Sequence, residues 1–169
     1  MGLRESTIKY IHEMVNKAGF RLEGLRMCEL GNQCINDDYK GFSIAKKYFE
    51  SLGVHHTSID LNGKDGALPL DLNKPIKLDQ FDVITNIGTS EHVKNNTQCF
   101  ENINNLCRSA GIMIHLVPAV GTSHGIRQYT TKWFINLANK NDYKVLYIVK
   151  KKNRTTDYIY CVLQKQRGI

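Results

Sequence analysis

Val145-Leu146-Tyr147-Ile148-Val149, the polar stretch Lys150 to Asp157, and then Tyr158-Ile159-Tyr160-Cys161-Val162-Leu163 decide the fold. Both flanking runs are rich in β-branched and aromatic residues and read as strands. The link between them is basic, polar and too short for a crossover helix, so the two strands must be antiparallel neighbours. Ordinary dinucleotide-binding domains keep winding in parallel, whereas this chain finishes with a hairpin.

Upstream, strand-like and helix-like segments alternate. Ser6 to Ala18 places Ile8, Ile11, Val15 and Ala18 on one helical face, with Gly19 as the stop. Arg26 to Leu30 reads as a short strand ending in a loop at Gly31. Phe42, Ala45, Phe49 and Leu52 mark an amphipathic helix ended by Gly53, and Val54 to Asp60 a second strand. A short extended piece covers Ala67 to Leu72. Phe81 to Ile87 is a near-continuous apolar run, as expected of a strand buried on both faces. Asn95 or Asn96 caps a helix carrying Cys99, Phe100, Ile103, Leu106 and Cys107 that closes at Gly111. Ile112 to Val117 is another strand, broken by Pro118, and Thr130 or Thr131 caps a helix with Trp133, Phe134, Leu137 and Ala138. The alternation predicts a doubly wound α/β fold. Its sheet is mostly parallel and seven-stranded, and it ends in a C-terminal antiparallel hairpin. One domain spans 1–169, with an N-terminal helix in 1–20 and a core over 26–165.

A chain of 169 residues, 41% hydrophobic and 23% charged, fits one soluble globular domain. It has no run near the roughly 20 apolar residues of a membrane span and no apolar signal region, so a cytoplasmic location is expected. None of its 5 cysteines forms a Cys-x-x-Cys pair, so neither a zinc nor a redox site is expected, nor any other metal. Cys28, Cys99, Cys107 and Cys161 read as small buried hydrophobes, while Cys34 lies in a ligand loop. The net charge of +7 gathers at Lys150, Lys151, Lys152 and Arg154, with Lys165 and Arg167 nearby. Such a patch favours an anionic partner such as nucleic acid, or is a solvated turn.

In doubly wound sheets ligands sit outside the carboxyl ends of the strands, so chemistry should gather in the loops that follow them. After the first strand come Glu29, Gly31, Asn32 and Gln33. A dinucleotide fingerprint needs Gly-x-Gly-x-x-Gly there, and only one of those glycines is present. Glu29 would repel a pyrophosphate and attract a cationic ligand; the plainer reading is a strand-end acid satisfied by amides. Asp60, followed by Leu61, ends the second strand, where a carboxylate can accept both hydroxyls of a ribose. Asp71 and Leu72 suit an exocyclic amine and an aromatic face. Asn86, Gly88, Glu91 and His92 follow, supplying close backbone approach, an acid and a titratable base.

The ordered series Cys-Glu-Leu-Gly-Asn-Gln, Ser-Ile-Asp-Leu-Asn, Leu-Pro-Leu-Asp-Leu and Phe-Asp-Val-Ile-Thr-Asn-Ile-Gly-Thr-Ser-Glu-His-Val resembles the class I S-adenosylmethionine-dependent methyltransferases over Arg26 to Lys165. The resemblance implies S-adenosylmethionine as cofactor. By it, Glu29 and Gly31 meet the methionine portion and Asp60 the ribose, with Asn32, Gln33 and Leu61 as further cofactor-binding residues. Asp71 with Leu72 meets the adenine, and Asn86 with Gly88 lines the floor near the reactive methyl. Asn-Ile-Gly-Thr departs from the Asp/Asn-Pro-Pro-aromatic motif of enzymes that methylate nucleic-acid amines, which counts against a base amino group as acceptor.

Methyl transfer from a sulfonium is an in-line displacement helped chiefly by positioning, with one base needed for a poor nucleophile. His92 is the candidate base. Glu91, His124, Arg127 and Tyr129 are candidate contacts to a small or accessible acceptor. His55, His56 and His115 read as structural. Two other classes compete with the enzyme reading. One is a non-catalytic module of the same fold that binds nucleic acid or a protein through its basic hairpin. The other, a nicotinamide-dependent oxidoreductase, is disfavoured by Glu29 and the missing glycines.

Overall fold

The computed structural model describes residues 2–152 and 155–166. The chain runs α1 (Glu5–Lys17), β1 (Arg26–Leu30), β2 (Cys34–Tyr39), β3 (Phe42–Ile44), α2 (Ala45–Ser51), β4 (His55–Ile59), β5 (Phe81–Ile87), α3 (Asn96–Leu106), β6 (Cys107–Pro118), α4 (Thr131–Asn141), β7 (Tyr143–Lys151) and β8 (Tyr158–Lys165). The main sheet has the order β4-β1-β5-β6-β8-β7. Its first four strands are parallel, and β8 is antiparallel to both β6 and β7, so the closing hairpin forms as its short link requires.

That sheet has six strands, not the expected seven. The piece from Ala67 to Leu72 touches β4 only through the bridge between Ile59 and Leu68. Pro69 has no N–H to continue a ladder, and Asp71 turns the chain by accepting the Asn73 N–H at 2.9 Å. A second departure is the two-stranded β2-β3 ribbon, tied to the N-terminus by a Leu3 N–H to Cys34 carbonyl bond of 2.7 Å. Phe42, expected at the start of a helix, belongs to this ribbon and packs edge-on against Tyr48 at 5.6 Å. The third concerns α3, which stops at Leu106 instead of Gly111. Cys107 is already extended and pairs with Phe81, and the next residue, Arg108, reaches Asp82 at 2.5 Å.

Helices cover both faces of the sheet. Ile8, Ile11, Val15, Tyr48 and Phe49 from α1 and α2 bury one face with Met27, Val83 and Ile114. Cys99, Ile103, Leu106 and Phe134 from α3 and α4 bury the other with Ile84, Met113 and Cys161. Each fully buried side chain of this size contributes about 1.5–3 kcal/mol. The expected caps are in place: Asn95 accepts the Gln98 N–H at 3.2 Å and Thr130 the Trp133 N–H at 3.0 Å. β4 and β7 are the sheet's edges. No helix is long and apolar enough to cross a membrane among the described residues.

Candidate functional site

The chain passes from β1 to β4 on one side and then to β5 on the other, so the loops leaving these strands diverge and open a crevice. A cavity of about 300 Å³ fills it. The β1 loop lines it with Gly31, Asn32 and Gln33, the β4 end with Asp60 and Leu61, the following segment with Asp71, Leu72 and Asn73, and the β5 loop with Gly88, Thr89, His92 and Val93. Sequence reasoning named all of these except Asn73, Thr89 and Val93.

Gly31 holds φ at +83°, and a Cβ there would lie 2.8 Å from Thr89 Oγ1 and 2.9 Å from Gln33 Nε2. A side chain would therefore both strain the turn and close the cavity. Asp60 accepts the Asn32 N–H at 2.9 Å and the Asn62 N–H at 3.0 Å, which ties the β1 loop to the end of β4. Hydrogen bonds from the Asn73 backbone and side chain hold the Asp71 carboxyl below its usual range. Gln33 donates from Nε2 to the Ile87 carbonyl at 3.0 Å. Asn32 Oδ1 and Gln33 Oε1 are buried acceptors without a hydrogen-bond donor among the described residues. Two orphaned acceptors lining one cavity suit a ligand that carries donors or positive charge.

Two residues expected at the ligand, Glu29 and Asn86, are buried and lie outside the cavity lining. Glu29 is buried in β1 and outside the cavity lining. Burial pushes its carboxyl up to about 8, which favours the neutral form. It accepts the Gln33 N–H at 3.3 Å and the Ser58 hydroxyl at 3.2 Å, and so shapes the loop. Asn86 is fully buried as well. It donates to Ser90 Oγ at 2.8 Å, accepts the Ser90 N–H at 3.0 Å and sets Nδ2 3.2 Å from His115 Nδ1. The plainer structural reading of His55, His56 and His115 holds for the last two, which burial pushes down to about 3.

Ser90 and Asn96, neither anticipated, complete a network under the β5 loop. Tyr129 donates to Ser90 Oγ at 2.9 Å and accepts from Asn96 at 2.7 Å. Tyr129, expected to contact an acceptor, is thus buried and tied into this network. Arg127 lines a different cavity, between α3 and α4, with its guanidinium on the Lys94 carbonyl at 3.1 Å. His124 lies beside Glu91 and His92, outside the cavity lining: its Nε2 is 3.6 Å from Glu91 Oε1, and its ring meets that of His92 edge-on at 5.2 Å. Burial, and after it the neighbouring His124, lower the His92 pKa from its ordinary value. Burial raises the Glu91 carboxyl to about 7.

No protein-family model matches the chain, and neither does any curated protein sequence. Solved structures do. The 1,6-didemethyltoxoflavin-N1-methyltransferase of Burkholderia thailandensis, with bound 1,6-didemethyltoxoflavin and S-adenosylhomocysteine, is 12% identical with a TM-score of 0.68, over 94% of this chain and 76% of that one. The N-methyltransferase NodS of Bradyrhizobium japonicum WM9, in complex with S-adenosylhomocysteine, is 11% identical with a TM-score of 0.66, over 97% and 89%. The [4+2]-cyclase SpnF is 10% identical with a TM-score of 0.69, over 96% and 82%. The fold is therefore that of the class I S-adenosylmethionine-dependent methyltransferases. A cyclase shares it, so the fold by itself does not dictate methyl transfer.

Proposed function

We propose that the chain binds S-adenosylmethionine in the 300 Å³ cavity and transfers its methyl group to a small acceptor. One observation carries this reading: the cavity draws Gly31, Asp60 and Gly88 from three strand ends, and Asp71 from the segment after β4, to one place. The orphaned Asn32 Oδ1 and Gln33 Oε1 fit an ammonium and an adjacent sulfonium better than a phosphate, which would bring only acceptors and negative charge. Both neighbours described with bound S-adenosylhomocysteine are methyltransferases, and the name of one specifies a small heterocyclic acceptor.

Bound S-adenosylmethionine supplies a methyl group already activated on sulfur. Asp60 would take the ribose hydroxyls, and Asp71 with Leu72 the adenine amine and ring face. His92, at the rim, would orient the acceptor and take its proton on a ring nitrogen. Calorimetry with S-adenosylmethionine and S-adenosylhomocysteine tests the proposal; no binding of either at about millimolar concentration would end it. The alternative of a nucleic-acid module draws no support from the hairpin. Lys150 is paired with Asp157 at 3.1 Å and Lys151 lies over the Tyr160 ring at 4.5 Å, while Arg154 and Arg167 fall outside the described residues.

A further inference from the structure

Glu91 is out of place as an ordinary buried acid. Its side chain is fully buried, yet apart from its own backbone N–H neither carboxylate oxygen has a hydrogen-bond partner among the described residues. Native proteins rarely leave such a group unanswered. Its surroundings are also specific. His124 Nε2 stands 3.6 Å from Oε1 and His92 Nε2 4.0 Å, and His124 Nε2 is itself buried without a partner. One ligand atom from each of the three residues falls within 4.8 Å of the others. Those gaps are too long for hydrogen bonds. They approach the spacing around a shared cation, since ligand atoms about 2.1 Å from a tetrahedral ion lie about 3.4 Å apart.

The constellation is built, not accidental. The Glu91 carbonyl accepts the Ile126 and Arg127 N–H groups at 2.9 and 3.1 Å, clamping the loop after β6 onto the turn after β5. Gly125 makes that closeness feasible, because a Cβ there would lie 2.6 Å from Glu91 Cγ. The clamp sets His124, its immediate neighbour in the chain, against the carboxylate.

We infer that Glu91, His92 and His124 form a binding site for a divalent transition-metal ion at the rim of the cavity. Two imidazole nitrogens and one carboxylate oxygen suit zinc, cobalt, manganese or iron in the divalent state better than magnesium or calcium. His92 and His124 remain partly open to solvent, so positions on the ion stay free for water or a substrate oxygen. The expectation of no metal followed cysteine spacing and did not weigh this trio. Metal binding stands apart from the methyltransferase reading, but its use in catalysis rests on it. With an ion in place the His92 lone pair is occupied, and an acceptor hydroxyl would be activated by coordination instead of by that base.

The test is titration of untagged, chelator-dialysed protein with Co²⁺ followed by visible absorption, then displacement by Zn²⁺. One Co²⁺ per chain is expected, with visible d–d bands. Glu91→Gln and His92→Ala should each weaken binding by at least about tenfold. His92 is exposed, so its alanine variant keeps the fold even if Glu91→Gln does not. Absence of one-to-one binding up to about 1 mM, or equal affinity in His92→Ala, overturns the inference. Calorimetry of the same metal-free samples with S-adenosylhomocysteine reports separately on the cofactor reading, so either can fail alone.

Discussion

Replacing Asn86 with alanine removes the centre of the network beneath the β5 loop. In the native chain its Oδ1 accepts the Ser90 N–H at 3.0 Å, and its Nδ2 serves Ser90 Oγ at 2.8 Å and His115 Nδ1 at 3.2 Å. Asn86 and Ser90 are fully buried and His115 nearly so, so water cannot take over these bonds. A buried donor left unsatisfied costs about 1–3 kcal/mol, and so does an orphaned acceptor. The Ser90 N–H and His115 Nδ1 would both be stranded, while Ser90 Oγ keeps Tyr129. The expected loss is about 4 kcal/mol, a large part of the roughly 5–15 kcal/mol that holds a domain together. Urea unfolding followed by far-UV circular dichroism measures it. Tyr129→Phe alone should cost about 1 kcal/mol, and the double variant should exceed the sum, because only there does Ser90 Oγ lose both of its donors. A loss below about 1 kcal/mol for Asn86→Ala, or strict additivity, would show that the network does not hold the loop.

Gly31→Ala should weaken S-adenosylhomocysteine binding more than tenfold by calorimetry, because its methyl lands on Thr89 and Gln33 in the cavity wall; the positive φ adds about 1–2 kcal/mol of instability. Glu29 makes stability fall as pH rises, since its folded pKa of about 8 lies above the ordinary 4.5 and the unfolded chain releases the proton first. The slope is about 1.4 kcal/mol per pH unit, so the wild type should lose about 3 kcal/mol between pH 6 and 8 that Glu29→Gln keeps; parallel urea curves for the two would refute it. His56 and His115 work in the opposite sense, their folded values of about 3 removing stability as pH drops below about 6.5, which denaturation midpoints between pH 7 and 4 would record. Thiol titration of the native protein should find Cys34 alone reactive, with Cys28, Cys99, Cys107 and Cys161 appearing only in denaturant.

What could be read from the sequence was whatever rests on local pattern or on strand ends. The final hairpin followed from a link too short to cross over. Asp60, Asp71 and Gly88 were found because each follows an apolar run in a fold whose ligand sits at strand termini. The errors share a physical cause, which is that burial and pairing are settled by distant neighbours. Glu29 carries a formal charge in the sequence, yet its position in the middle strands of the sheet favours the neutral form. Phe42, Ala45 and Phe49 are spaced as on a helix, but pairing with β2 claims the first for a strand. Pro69 was the available warning that Ala67 to Leu72 would not join the sheet. The approach of His124 to Glu91 joins two loops remote in sequence; both residues were expected near an acceptor, but no local pattern set one against the other.

The lysines that suggested an anionic partner acquire a different meaning from their place on β7. That strand is the outermost of the sheet, and its free side presents backbone groups to which a strand from another molecule could add. Lys144, Lys150 and Lys151 sit exposed near its two ends. Two copies meeting edge to edge would bring these ammonium groups together at short range, and their repulsion would part the molecules before a ladder could zip up. Charged residues along a sheet edge disfavour such pairing in general, an effect that weakens as salt screens it.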